Sequence, residues 1–370
     1  MTAARYHADL KVITESVEIH SATQYSIVGE LRDFSAVPAL AGDPPTTPTF
    51  LPALETDLYS RLYTRPTMSG VMAGDLLAQR DHISALSAAN NGIGTWEPGW
   101  RVVSIEDDGR VGVTKDQVTF WVPPSGLRTR TGKFRVGDFG RVWVGKEMRQ
   151  LVTGFYFAIG NGDQQDTRDT TDTLLRFYWH LTKEVAVDYM ELVTSLFNKA
   201  VIPFRTKVMA DPSSYVRADA GVLYLERCHF PAARRIILEI HQNIERGLRP
   251  ATPMFTKPVA EGLGFAEDPS NRMSFGQSRC RISARALWEC FTRDITDPEE
   301  RLSVVVEAFR AEGLDPELPF LEKGSRDLYS MTGELPTMSR LPRPAVMRAE
   351  RLRKGRRKGH AKKRQKSRAR

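Results

Sequence analysis

Apolar residues at mixed spacings of three and four, Leu10, Ile13 and Val17, then Leu76, Leu77, Ile83 and Leu86, predict helical segments over residues 5–33 and 52–90. A proline-rich link over residues 42–52 joins them. Beyond residue 99 the pattern changes to strand grammar. Residues 100–105, an Asp107-Asp108-Gly109 turn, 111–113 and 119–122 form one group, stopped by Pro123-Pro124; residues 132–146 and 152–159 form another. Helical stripes return over 181–197 and 231–246, the second with Pro231 in its first turn and Gly247 at its end. Two more helices are predicted, from about residue 282 to 291 and from Asp297-Pro298 to Gly313. With no internal repeat, the expected class is α+β: a helical N-terminal part and a largely antiparallel sheet flanked by helices. The expected organisation is a helical region 1–98, a central domain 99–325 and a disordered basic tail 326–370.

The net charge of +8 conceals an asymmetry. Residues 341–370 hold 14 Lys or Arg against the single acid Glu350, which leaves 39 basic and 44 acidic residues elsewhere. The body is therefore acidic and the tail strongly basic. Such a tail has the chemistry to dock an acidic peptide, a partner protein or nucleic acid by screened attraction, or to remain solvated. Three cysteines, Cys228, Cys280 and Cys290, with no Cys-x-x-Cys pairing, support neither a disulfide framework nor a zinc site. Neither a signal peptide nor a run of about 18 apolar residues is present, so a cytoplasmic protein without a membrane anchor is expected.

The densest chemistry lies between Pro203 and Leu225, where two strand-like runs flank an Ala-Asp-Pro-Ser-Ser turn. Alternation puts Arg205 and Lys207 on one face, and Tyr215, Arg217 and Asp219 on one face of the return run. If the turn at Asp211-Pro212 sets odd residues opposite odd ones, all five converge. One account of that cluster is a salt-bridge ladder, with Arg205 paired to Asp219 and Lys207 in water. The other is a phosphate clamp with a base inside it: guanidinium forks match phosphate oxygens, and a lysine set among guanidinium groups is pushed towards its neutral, proton-accepting form.

Other features are weaker. Gly264 to Pro269 and Ser274 to Arg281 form a glycine-containing stretch where backbone amides and Arg279 have the chemistry of an anion loop, or of an ordinary helix start. His180 ends the aromatic run Arg176-Phe177-Tyr178-Trp179 and is either a packed histidine or a general acid. Asp138-Phe139-Gly140 matches a kinase tripeptide, but no glycine-rich phosphate loop or Val-Ala-x-Lys strand accompanies it.

From about Val111 to Trp288 the ordered strings resemble the HopA-type effector domain. They are Arg176-Phe177-Tyr178-Trp179, Ile202 to Val208, Tyr215 to Tyr224, Gly262 to Pro269 and Ser274 to Cys280. The central domain, 99–325, is accordingly expected to be a HopA-like lyase domain. The resemblance extends to the separate lyase of class V lanthipeptide and thioamitide biosynthesis. It implies elimination of phosphate from phosphothreonine or phosphoserine in a ribosomal precursor peptide, giving dehydrobutyrine or dehydroalanine. A separate Ser/Thr kinase would be the partner that supplies the phosphorylated peptide, and neither cofactor nor metal would be needed. On that reading Lys207 is the base, Arg205, Arg217 and Arg279 hold phosphate, Tyr215, Lys257 and Asp219 orient substrate, and His180 or Lys257 protonates the leaving oxygen. A non-catalytic phosphopeptide-binding scaffold is the alternative.

Overall fold

The computed structural model describes residues 6–36, 48–67, 75–115, 118–149, 153–162, 173–271 and 273–332. Of the tail expected to be disordered from residue 326, residues 333–370 lie outside the described residues, as does most of the proline-rich link, while the start of that tail is packed on the body, with Tyr329 buried and Asp327 paired to Lys257.

Helix α1 (Ala8–Ser16) runs into a three-stranded meander, β1 (Val17–Ser21), β2 (Gln24–Ile27) and β3 (Glu30–Asp33). The segment 5–33 is thus helical only in its first half. Val17 and Ile19 sit in strand-like alternation with Glu18 and His20, and that period decides the second half. The next segment is helical as expected: α2 (Leu51–Asp57) continues into a π-type turn (Leu58–Tyr63), and α3 (Leu76–Ala89) is capped by Asp75.

A five-stranded antiparallel sheet follows, made of β4 (Thr95–Ile105), β5 (Val111–Lys115), β6 (Val118–Val122), β7 (Leu127–Thr129) and β8 (Phe139–Val144) in the order β6-β5-β4-β8-β7. Trp100, Val102, Val113 and Val142 fill its core, each contributing about 1.5–3 kcal/mol by burial. Kinase chemistry finds no support here, because Asp138 closes a turn and accepts from the Arg135 amide.

The remaining elements are β9 (Glu147–Met148), β10 (Phe155–Ile159), β11 (Leu174–Trp179), α4 (Ala186–Lys199), β12 (Arg205–Met209), β13 (Gly221–Glu226), α5 (Phe230–Ile244), β14 (Lys257–Ala260), β15 (Leu263–Glu267), α6 (Phe275–Thr292) and α7 (Pro298–Ala311). The strands form one antiparallel sheet ordered β14-β15-β11-β13-β12-β10-β9. All the elements named here belong to one compact unit, Met1–Met331. Helices α4 and α5 cover one face: Trp179 packs on Tyr189, the Tyr189 and Thr206 hydroxyls bond at 3.0 Å, and Phe177 stacks on Phe230. The π-type turn and α6 cover the other, where Tyr63 and Tyr178 pack against Phe275. Gly276 lets the Tyr63 ring approach, since a Cβ there would lie 2.3 Å from it.

Candidate active site

Sheet register decides which side chains meet. Lys207 lies opposite Val222 and Phe157, and Arg205 opposite Tyr224 and Ile159, so odd residues of β12 face even residues of β13. The expected odd-to-odd pairing is corrected by the connection between the two strands. Residues 210–220 are not a tight turn; they contain a 3-10 turn (Pro212–Ser214) whose cap is the Asp211 side chain, and the return strand starts only at Gly221. Tyr215, Arg217 and Asp219 are therefore carried by the loop.

Lys207 and Arg205 nevertheless share the face that looks towards the π-type turn. The Lys207 ammonium lies 4.0 Å from the centre of the Phe155 ring and 5.9 Å from that of Phe157. Two carboxylates feel its charge, each with its own arginine. Asp219 is buried and bound by Arg217 through Nε and Nη2, both at 2.8 Å, while the Tyr59 hydroxyl donates to it at 3.1 Å. Burial alone would raise its carboxyl, but Arg217, with help from Lys207 and Tyr59, holds it below the usual range. Asp268 pairs with Arg176 at 2.5 Å, and here burial prevails over Arg176 and Lys207 and pushes the carboxyl up. The Arg176 guanidinium also lies 5.1 Å from the Tyr224 ring centre. Two acids held apart in proton affinity within the field of one lysine are the arrangement that acid–base chemistry uses. Tyr59 stands on the π-type turn, a helical irregularity common at functional sites.

Arg205, half-exposed, forms an ion pair with Glu97, which Lys115 also contacts at 3.0 Å. The ladder partner of Asp219 is therefore Arg217. Arg279 is buried and spent on the chain around it: it donates to the carbonyls of Pro319 and Leu321 and to Glu322. The glycine-containing stretch before it is a helix start, where Ser274 and Gln277 form a reciprocal capping box. Lys257 is on β14, four strands from β12, roughly 19 Å at ordinary strand spacing, and is held by Asp327 at 2.5 Å. Tyr215 is buried, donates to the Met209 carbonyl at 2.8 Å and meets His82 Nε2 at 2.9 Å, which anchors the loop bearing Arg217.

His180 is buried at the end of β11. Its Nδ1 donates to the Ala251 carbonyl at 3.0 Å, so Nε2 carries the lone pair, and that atom has no hydrogen-bond partner among the described residues. Burial lowers its proton affinity. The ring is thus neutral and an acceptor, which suits a proton donor poorly. Arg176 Nε, Tyr178 Oη and His180 Nε2, at alternate positions along β11 and the residue after it, are all buried without a hydrogen-bond partner among the described residues. Arg176 and Asp268 were legible only as members of quoted strings. A charged residue inside the apolar run Leu174-Leu175-Arg176-Phe177-Tyr178-Trp179 is the signal that could have found a buried functional cation.

Glu226, Cys228 and His229 place one potential ligand atom each within 4.8 Å of one another. The group begins four residues along β13 from Val222, the neighbour of Lys207, and takes no part in this site.

Burial lowers the proton affinity of His7, His82, His180 and His241 from the ordinary 6.5. A depressed pKa in the folded state gives stability that is present above about pH 6.5 and lost as the pH falls through the folded value. Asp268, raised, acts in the opposite sense but is one group against four. Thermal melts should therefore show a falling midpoint on acidification from about pH 7.5 to 5.5; a flat profile would contradict the assignment of neutral buried rings.

Residues 147–321 match the model of the HopA1 effector protein family. Two solved structures are similar to the chain. The effector protein from Pseudomonas syringae pv. tomato strain DC3000 shares 17% identity at a TM-score of 0.43, over 73% of this chain and 90% of that one. The effector protein from Pseudomonas syringae pv. syringae strain 61 shares 19% identity at a TM-score of 0.42, over 72% and 88%. No curated protein matches. The HopA-type resemblance of the central strings is thus a property of residues 147–321. Among the described residues no helix is long and apolar enough to cross a membrane.

Proposed function

Taking a HopA1-type effector domain over residues 147–321 as the premise, we propose that this protein is a lyase that eliminates phosphate from phosphothreonine or phosphoserine in a ribosomal precursor peptide. The products are dehydrobutyrine or dehydroalanine and inorganic phosphate, as in lanthipeptide-type biosynthesis. The observation that carries this reading is Lys207 on its sheet face, with a charge that reaches two arginine-bound carboxylates, Arg217–Asp219 and Arg176–Asp268.

In the proposed step Lys207, once its ammonium has given up a proton to solvent, takes the α-proton of the phosphorylated residue with its amine. The C–H electron pair becomes the Cα=Cβ bond, the Cβ–O bond breaks, and its pair leaves with the phosphate oxygen. Arg217 and Arg205, both partly exposed, neutralise the departing anion. Arg176 holds Asp268, whose raised proton affinity suits it to protonate the leaving oxygen. His180 and Lys257 are replaced in that role for the reasons of charge and distance given above. Each bond change is met by these side chains, so the scheme calls on no cofactor or metal. A separate Ser/Thr kinase supplies the substrate, and the protein acts in the cytoplasm where that kinase works.

The test is phosphate release from a phosphothreonine peptide by the purified chain, with trapping of the alkene product by a thiol. Release without a thiol adduct would make the protein a phosphatase and end the proposal. Arg217→Ala should raise KM for the phosphopeptide by about tenfold or more, since a charge-assisted bidentate contact is worth about 1.5–3 kcal/mol. An unchanged KM would remove Arg217 from the clamp.

A further inference from the structure

A cleft of ≈ 910 Å³ opens beside the site. Its walls include Arg217 and Met209, which tie it to the sheet face that carries Lys207, and Pro66, Thr67 and Val216. The two chain segments beneath it are bonded to each other, Thr67 N to Val216 O at 2.9 Å and Ala218 N to Thr64 O at 2.7 Å, so the floor is built rather than accidental. At the rim stands Val28.

Val28 is in the wrong conformation for its side chain. Ile27 and Glu30 pair across a two-residue hairpin turn in which Val28 has φ 51° and Gly29 φ 77°. Positive φ at both positions is the type I′ geometry, which favours Asn-Gly, and a β-branched residue there is strained. The strain is not repaid by packing, since Val28 is 64% exposed. Arg65, at φ 44°, differs: its guanidinium holds the buried Asp9 at 2.6 Å. Two exposed valines, Val28 and Val201, are held at positive φ, and of the two it is Val28 that borders the cleft, where such strain points to a contact made with something outside the chain.

We infer that this cleft is the peptide subsite of the lyase, holding the residues that flank the phosphorylated one, with an aliphatic side chain seated against Val28, Pro66 and Val216. This rests on the reading of the site as phosphopeptide-binding, and it adds where the chain of the peptide runs and which neighbour it prefers. The occupant is a peptide because the cleft is continuous with Arg217, sets the apolar side chains Val28, Pro66 and Val216 among serine and threonine hydroxyls and the charges of Glu30, Asp57 and Arg61, and is large enough for several residues.

The experiment measures binding of two labelled probes to the full chain by fluorescence anisotropy: a twelve-residue phosphothreonine peptide with leucine flanking the phosphorylated residue, and the corresponding phosphothreonine tripeptide with alanine neighbours. Val28→Asn should weaken the long peptide about tenfold, the equivalent of one lost aliphatic contact, and leave the tripeptide unchanged. Because asparagine suits the turn, the same substitution should raise the melting midpoint by about 1–3 °C. Val28→Gly should repeat the binding loss. Equal affinity of the long peptide for wild type and both variants would overturn the subsite, as would a wild-type protein that binds the long peptide no better than the tripeptide. Tight, Val28-dependent binding without phosphate release would leave the subsite standing and sink the lyase reading instead.

Discussion

Lys207→Ala lowers phosphate elimination to the uncatalysed background while phosphopeptide affinity changes less than about threefold. The expectation follows from where the side chain sits. Among the described residues no carboxylate binds Lys207 as an ion-pair partner at short range; its ammonium rests on the Phe155 ring, while Arg176 and Arg217 pair with Asp268 and Asp219. Removing the amine takes away the base, which is worth about 10²–10⁴ in rate or more when no other group can replace it, and leaves the guanidinium contacts intact. Lys207→Arg sharpens the test, because it keeps the positive charge but puts a group there that does not give up its proton. It should be as inactive as the alanine variant. Retained turnover in either variant, measured as dehydrated peptide by mass, would remove Lys207 from the base position.

Asp219→Ala is the substitution with the largest expected cost to the fold. The carboxylate is buried, accepts two bonds from Arg217 and one from Tyr59, and sits in the loop that Ala218 fastens to Thr64. Without it the largely buried Arg217 guanidinium has lost its counter-charge, a change that costs about 3–5 kcal/mol. The expected result is a melting midpoint lower by roughly 6–15 °C and loss of activity with it. Asp219→Asn should lie between, since the amide can still accept from Arg217 but brings no charge. A midpoint within about 2 °C of wild type for the alanine variant would show that the pair contributes little.

Much of the architecture was legible. The strand groups, both stripes that became α4 and α5, and the last helix with its stop at Gly313, φ 81°, all follow from periodicity and from proline and glycine punctuation. Where the sequence misled, the cause is local and physical. Leu10, Ile13 and Val17 carry a helix spacing as far as the first residue of β1, and the strand alternation that begins there, Val17 and Ile19 against Glu18 and His20, is too short to stand out beside it. The stripe of α3 predicted a buried face, yet Leu76 and Leu77 are exposed and Leu86 is buried.

The site was half visible for a related reason. Alternation within a strand places Arg205 beside Lys207 without any knowledge of the fold, but pairing across strands depends on the connection, and Asp211-Pro212 starts a 3-10 turn within a longer loop. Arg217 and Asp219 therefore reach the site through the loop, and Arg205 turns to Glu97, a partner 108 residues away. Arg279 and Lys257 carried the right charge for a phosphate site, but Glu322 with the Pro319 and Leu321 carbonyls engages one and Asp327 the other. No short-range rule reveals such long-range partners.

The account turns on whether phosphate leaves by elimination. The direct measurement is intact mass spectrometry of a phosphothreonine precursor peptide incubated with the purified chain, in ordinary buffer and in buffer containing chelator. Loss of the elements of phosphoric acid, leaving a peptide one water lighter than its unphosphorylated form, is the predicted result in both buffers and should vanish in Lys207→Ala. A product at the mass of the unphosphorylated peptide, or a peptide that binds and returns unchanged, would contradict it.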